Sequence, residues 1–170
     1  MPVREWEEIQ EMLRDGEVAS AEGKPLMREP QELTAVLKQW VRIAEDDLLA
    51  AAGTLKLGGK YPAYAVCFHA QECVQKYLKA ILVMRRLRVP KTDNLANILA
   101  MFPRTCHPPL NAEEQKRHAR YTMAILYPSK APPPSLTDAR DAVKVARRVR
   151  AWCRKLLPPA ALRKEAREAE

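Results

Sequence analysis

The chain has 170 residues, a formal net charge of +8 and a hydrophobic content of 47%. This length suits one domain with a sizeable core, and no apolar run reaches the roughly 18 residues that a membrane span needs. The charged start, Met1–Glu8, lacks the apolar segment of a signal peptide. We therefore expect a cytoplasmic protein with no membrane partner. The positive charge favours an anionic partner such as a nucleotide, RNA or an acidic protein, or it reflects an arginine-rich composition.

Residues 1–30 are predicted to be peripheral to the main body, with a short helix over 5–14. Apolar residues at helical spacing predict two long helices, over 31–57 and 61–87. Gly58 and its neighbouring glycine end the first of these helices. In the second helix the apolar positions are Tyr64, Phe68, Val74, Leu78, Ile81 and Leu82.

Two shorter helices are predicted in the middle of the chain. Thr92 is expected to cap a short helix over 94–101, and Asn111 to cap the helix that follows it. Acidic residues directly after Asn111 favour a helix start, because negative charge is stabilised there. This helix is predicted to fade at Tyr127, before a proline-rich linker.

A last long helix is predicted to start at Ser135 or Thr137, with its apolar side facing inward and Leu156 as its last inward residue. No segment alternates apolar and polar residues over a strand's length. The sequence therefore predicts an all-α fold, an antiparallel up-and-down bundle of four or five helices over 31–157. Residues 158–170 are predicted to form a charged C-terminal tail.

The second predicted helix carries more hydrogen-bonding side chains than a simple core helix needs: His69, Gln71, Glu72, Gln75, Lys76 and Lys79. One interpretation is a nucleotide site in which the lysines bind phosphate and Gln71 contacts a base edge. A second interpretation is a solvated face with Glu72 and Lys76 as an exposed ion pair. A third is a dimer interface in which small residues allow two helices to approach: Ala65, Ala70 and Ala80.

Asp47 lies beside the apolar stripe of the first long helix, next to Leu48. Adjacent carboxylates on a helix point about 100° apart, so Asp47 and its acidic neighbours do not form an acid–base pair. We predict instead that Asp47 pairs with Lys76 or Lys79 across the bundle. Such a buried ion pair would fix the register of the two helices.

Several short segments stand in a recognisable order along the chain: Trp40, Ala44–Leu48, Phe68–Gln71, Lys76, Leu78–Ala80, Pro90–Thr92, Leu95, Tyr121, Tyr127–Pro128 and Asp138–Ala139. Together they resemble the HEPN family, the higher eukaryote and prokaryote nucleotide-binding domains, over roughly residues 35–155. The resemblance implies a small up-and-down helical bundle that is commonly a homodimer. It also implies a possible minimal nucleotidyltransferase partner in a toxin–antitoxin-like pair, or a nucleotide or RNA ligand.

Some members of the family are metal-independent ribonucleases with an Arg-x4–6-His motif. Here the histidines are His69, His107 and His118, and the positions where that arginine would stand hold Pro-Ala-Tyr, Ala-Met-Phe and Asn-Ala-Glu. The motif is absent, so we expect no catalytic residue and no cofactor. The chain is interpreted as a non-catalytic nucleotide-binding or nucleotidyltransferase-partner module. The alternatives are a divergent ribonuclease toxin and a purely structural dimeric bundle.

The residues expected to bind nucleotide or phosphate are His69, Gln71, Lys76 and Lys79, with Arg85 and Arg86 at the end of the helix. No metal is expected: His69 and Cys73 share a helix face, but two ligands make a weak zinc signal. A hydrogen-bonded histidine beside a buried thiol is the simpler interpretation. The last helix carries a basic face, which either tracks a phosphate backbone or is merely solvated: Arg140, Lys144, Arg147, Arg148 and Arg154.

Overall fold

The computed structural model describes residues 30–58 and 61–163. Within these ranges the regular elements are helices alone, which confirms the predicted all-α bundle: α1 Pro30–Leu55, α2 Ala63–Met84, α3 Leu95–Ala100, α4 Ala112–Leu126, α5 Leu136–Leu156 and α6 Pro159–Leu162. The short helix predicted over 5–14 lies outside the described residues. The long helices match the predicted ones to within a few residues at each end.

The four long helices alternate in direction along the chain, and α2 lies at the centre of the bundle, packed against α1, α5 and α4. Asp138 lies near Cys67 at one end of α2, and Arg154 contacts Tyr77 further along. Helices α2 and α5 therefore run in the same direction, as expected for alternating helices in an up-and-down bundle. The short α6 folds back onto α1.

Side-chain caps fix the residues at which α4 and α5 begin. Asn111 and Ser135 each form a capping box with an acidic residue three positions later. The cap predicted at Thr92 is wrong, because Asn94 caps α3 and accepts two backbone N–H bonds from its first turn. Thr92 lies two residues too early and instead accepts the N–H of Asn94.

The core is made chiefly by α2, whose inward residues include the fully buried Tyr77 and Leu78. Two residues of its predicted apolar stripe are not in the core: Tyr64 is 58% exposed and Phe68 is 42% exposed. They lie on a side of α2 that the neighbouring helices leave uncovered. Leu156, predicted to face inward, is also exposed, since it lies in the last turn of α5.

The cysteines in the described ranges are free and buried, as expected for reduced thiols: Cys67, Cys73, Cys106 and Cys153. Burial raises the pKa of Cys67 and of Cys73 to about 12. Such thiols remain protonated and act as small apolar groups.

Residues after Pro158 continue to pack on the bundle for about one turn. Ala161 is 2% exposed and packs on the bundle, whereas Pro159 and Ala160 are exposed. The predicted boundaries, with a bundle over 31–157 and a charged tail over 158–170, stay predictions.

Candidate functional site

The polar residues of α2 divide into two sets, one of ionisable side chains and one of amides. Positions two apart, such as His69 and Gln71, point about 200° away from each other, whereas His69 and Lys76 point within about 20°. We call His69, Glu72, Lys76 and Lys79 the charged face, of which His69 and Lys76 contact α1. We call Gln71 and Gln75 the neutral face, which borders α4.

Asp47 of α1 is the centre of the charged face. Its Oδ1 accepts a hydrogen bond from His69 Nδ1 at 2.8 Å, and its Oδ2 accepts one from Lys76 Nζ at 2.5 Å. The Asp47 side chain is only 12% exposed. The predicted ion pair between Asp47 and Lys76 across the bundle is therefore confirmed, and His69 is a further partner that the sequence pattern did not indicate.

Lys76 also contacts Glu72 one turn earlier, with Nζ to Oε2 at 2.8 Å. Desolvation alone would lower the pKa of Lys76, but its hydrogen bonds to Asp47 and Glu72 outweigh burial and raise that pKa. The ammonium group is thus held by two carboxylates. The predicted helix pair of Glu72 and Lys76 exists, but it is half-buried rather than fully solvated.

Lys79, one turn after Lys76, lacks the carboxylate partners that Lys76 has. Its side chain is partly buried, and no described carboxylate lies within hydrogen-bond or ion-pair distance of its ammonium group. Burial lowers the pKa of Lys79, and the more distant charges of Asp93 and Glu72 offset that effect only in part. Lys79 is therefore a desolvated cation with no direct counterion in the described part of the chain.

The neutral face is a buried hydrogen-bond network with α4. Gln71 is 5% exposed, and its amide nitrogen donates to the backbone carbonyl of His118 at 3.0 Å. Thr122 donates to the Gln71 carbonyl at 3.4 Å. The Gln75 amide nitrogen donates to the carbonyl of Asp93 at 3.0 Å. Gln71 is thus separated from the charged face and satisfied by the bundle itself.

His118 lies at the end of this network, 7% exposed. Its Nε2 lies 3.4 Å from the amide nitrogen of Gln75, which can only donate, so Nε2 must accept and the ring is neutral. Burial lowers the pKa of His118 to about 4, against a small opposing effect from Asp93. Protonation of this ring would place two donors against each other in a buried site.

A second ionic cluster, which the sequence pattern did not indicate, joins α1, α2 and α5. Arg150 forms a bidentate pair with Glu45 at 2.5 and 2.9 Å. Tyr77 also donates to Glu45, and Arg154 contacts the Tyr77 hydroxyl at 3.4 Å. Burial opposes ionisation of Glu45, but the bonds from Arg150 and Tyr77 outweigh burial and lower its pKa. A periodic pattern gives no sign of a partner 105 positions away.

Arg85 and Arg86 are exposed at the C-terminal end of α2. Arg86 has φ +56, a left-handed conformation usually given to glycine, and the following N–H bonds back to Leu82. This Schellman-type end places two guanidinium groups where the helix dipole favours cations. They lie beyond Lys79 along the same helix.

A small cavity of about 40 Å³ lies between α2, α4 and α5. Its wall is largely apolar, with Val74 and Val145 on facing helices, and His118 and Gln71 contribute polar groups. Arg117 and Asp141, paired at 3.3 Å, also line it. The cavity is large enough for only a few water molecules, so it does not offer a nucleotide site as it stands.

No group of three or more metal-binding side chains occurs within residues 30–58 and 61–163. His69 is engaged with Asp47, and Cys73 is fully buried and protonated. No described helix combines the length and apolarity needed to cross a bilayer. Two of the small residues considered for a dimer, Ala70 and Ala80, face the core, and Ala65 is half-buried.

The chain belongs to the HEPN family, because the model of the HEPN domain matches residues 37–156. A similar solved structure is the crystal structure of TT1696 from Thermus thermophilus, with 23% identity and a TM-score of 0.58. The match covers 71% of this chain and 98% of TT1696, and at this identity it shows a common fold. A comparison with curated proteins finds no match.

Proposed function

We propose that this HEPN-family chain is a non-catalytic module that binds a nucleotide through the charged face of α2 and the basic end of that helix. The observation that carries the proposal is the desolvated Lys79, which has no direct counterion in the described residues. Desolvating a charge without pairing it is costly. A phosphate group bound at Lys79 would supply the missing charge-assisted hydrogen bonds.

The remaining residues take supporting roles in this proposal. Lys76 is already held by Asp47 and Glu72, so we assign it to positioning the helix rather than to the phosphate. Arg85 extends the positive charge beyond Lys79, as does Arg86. His69 keeps Nε2 for a ligand, because Nδ1 is used by Asp47. The base-reading role predicted for Gln71 is not included, since its amide is buried against α4.

Exposed aromatic rings on the same helix suit a flat base or a protein surface. Phe68 is 42% exposed and packs edge-on against His69, with ring centroids 5.3 Å apart, and Tyr64 is 58% exposed one turn earlier. This exposure favours a second candidate function, in which the rings dock a minimal nucleotidyltransferase or a second copy of the chain. Aromatic residues are enriched in such interfaces.

A divergent ribonuclease is the enzymatic alternative, and one observation favours it. The His69 side chain is 36% exposed and Asp47 fixes its tautomer, an arrangement also found in general bases. Against this, the chain lacks the arginine-containing motif, and the buried His118 is neutral. RNA cleavage by the wild-type chain, abolished in His69→Ala, would overturn the non-catalytic assignment.

Titration calorimetry against ATP, GTP and a short RNA tests the binding proposal. We expect saturable, salt-sensitive binding of a nucleotide that Lys79→Gln weakens at least tenfold. Lys56→Gln is the matched control, because Lys56 is exposed on another helix end and loses the same charge. Equal losses in both variants would assign the binding to overall charge. If neither nucleotide nor the RNA binds to the wild-type chain, the proposal is refuted.

The docking candidate has its own test. Light scattering with size-exclusion chromatography gives the oligomeric state of the wild-type chain and of Phe68→Ser. Absence of nucleotide binding together with a dimer that Phe68→Ser dissociates would favour a structural interaction bundle. A co-expressed minimal nucleotidyltransferase retained by the wild type and lost by Phe68→Ser would favour the partner module.

A further inference from the structure

A row of cations runs along the solvent side of α5, on a different helix from the proposed nucleotide site. Arg140, Lys144, Arg147 and Lys155 are all exposed. Their spacings of four, three and eight residues place them within about 80° of one another around the helix. Between the first and the last the helix rises about 22 Å. We call these four residues the α5 ridge.

The side chains of the α5 ridge form almost no ion pairs with the rest of the described chain. Lys144 makes one long contact with Asp141 at 3.7 Å, and its side chain is 76% exposed. Arg140, Arg147 and Lys155 have no ion pair within the described residues. Arg150, another basic residue of α5, instead forms an ion pair with Glu45.

Helix stability does not account for the ridge as a whole. Lys155 lies in the last turn, where the helix dipole favours a cation. Arg140, Lys144 and Arg147 lie earlier in the helix, and like charges three or four positions apart repel one another. Residues 142–156 contain no acidic residue to relieve this repulsion. The free protein therefore keeps a repulsion that an anionic partner would remove.

We infer that the α5 ridge binds the phosphate backbone of a nucleic-acid duplex. The ridge is long enough to lie along several phosphates, because each strand of a duplex carries one phosphate for about every 3.4 Å of helix axis. It carries no aromatic residue for stacking on unpaired bases, and the nearby Trp152 instead packs on Phe102. Contacts made to phosphates carry no sequence information, so we expect binding to be independent of base sequence.

An acidic protein is a poorer fit to the same surface. Protein interfaces have an apolar centre from which charged residues are depleted. The large exposed apolar residues of α5 are Leu136 and Leu156, at its two ends, and none lies between Arg140 and Lys155. A surface made of charges alone suits a polyanion whose binding releases counterions.

Fluorescence anisotropy with a labelled DNA duplex of about 20 base pairs, roughly three times the length of the ridge, tests this inference. The test variant is Arg140→Gln, Lys144→Gln, Arg147→Gln and Lys155→Gln combined. The matched control removes four exposed cations elsewhere: Arg42→Gln, Lys56→Gln, Arg104→Gln and Lys130→Gln. Both variants lose the same formal charge, and glutamine keeps a helix propensity near that of lysine and arginine.

At low salt we expect the ridge variant to bind the duplex at least tenfold more weakly than the wild type, and the control to stay within about threefold. The slope of log affinity against log salt should fall in magnitude by about 3.6 in the ridge variant, near 0.9 for each of the four phosphates that the protein no longer neutralises. An RNA duplex should bind within a few-fold of DNA, because no ridge side chain is suited to select the 2′-hydroxyl.

Three results would overturn the inference: no duplex binding at low salt, equal losses in the two variants, or polyglutamate binding as tightly as the duplex. The single variant Arg147→Glu, which should also weaken binding, keeps the test valid if the fourfold variant folds poorly. The inference does not rest on the nucleotide site. The ridge variant should retain nucleotide binding, and Lys79→Gln should retain duplex binding, so the two failures are distinguishable.

Discussion

The charged and neutral faces of α2 satisfy their polar groups in opposite ways. On the charged face, ions from two helices meet near the surface, and Lys79 has no direct counterion among the described residues. On the neutral face, amides and a neutral histidine pair with one another inside the bundle. A closed neutral network stabilises a unique packing, whereas an incompletely paired ionic surface leaves binding capacity for a partner.

Removal of Asp47 is expected to have the largest effect on stability, because this carboxylate joins His69 and Lys76 of α2 to α1. Asp47→Asn should lower the free energy of unfolding by about 3 kcal/mol, since Lys76 would lose one of its two carboxylate partners and His69 would lose the carboxylate at Nδ1. Asp46→Asn, at the exposed neighbouring position, should change it by less than about 0.5 kcal/mol. Urea unfolding measures both, and equal effects would refute a special role for Asp47.

Acidification should act on the neutral face through His118. The folded-state pKa of about 4 lies below the value of 6.5 for an unperturbed histidine. The unfolded state therefore binds a proton first, and stability present above pH 6.5 is lost as the pH falls toward 4. At about pH 5 the loss is about 2 kcal/mol. His118→Gln should remove this part of the pH dependence in thermal unfolding curves, and an unchanged pH profile would contradict the neutral buried ring.

Much of this fold follows from the sequence. The spacing of apolar residues predicts every long helix, and the caps at Asn111 and Ser135 follow from short-range chemistry. The pairing of Asp47 with Lys76 was also predictable, because a carboxylate beside an apolar stripe needs a cation across the bundle. These features depend on local geometry or on one pairing between adjacent helices.

The sequence was enough to predict that His69 and Gln71 point to different sides of α2. It was not enough to predict which residues they contact. The rotation of about 100° per residue already separates Gln71 from His69. Which helix covers each side depends on the packing of the whole bundle, so the burial of Gln71 against His118 needed the structure. The same holds for the exposure of Tyr64 and Phe68, whose spacing alone resembles that of core residues.

Gln71→Met tests whether the two faces are independent. This change removes the bond to the buried carbonyl of His118 and should lower the free energy of unfolding by about 1 kcal/mol. Nucleotide binding at the charged face should be unchanged within error. Calorimetry of the variant at the same salt concentration provides the comparison, and a selective loss of affinity would return Gln71 to the binding site.

The smallest effect that we expect is an increase in the free energy of unfolding. Lys79→Met replaces a desolvated cation by an apolar side chain and should raise the free energy of unfolding by about 0.5 kcal/mol, while nucleotide binding falls. Lys76→Met, the matched change at the paired lysine, should lower stability instead, because it leaves Asp47 and Glu72 without their shared cation. Denaturant titration of both variants gives the two signs, and a loss in both would show that Lys79 is paired.

The ion pair between Glu45 and Arg150 also bears on the order in which the chain folds. The contacts of α1 with α2 join residues 22 to 32 positions apart, whereas Glu45 and Arg150 are separated by 105 positions. Closing a longer loop costs more chain entropy, so the α1–α2 hairpin should form first and α5 should dock late. Interactions made after the transition state govern unfolding rather than folding rates. Loss of the Arg150 guanidinium should therefore speed unfolding and leave the folding rate almost unchanged.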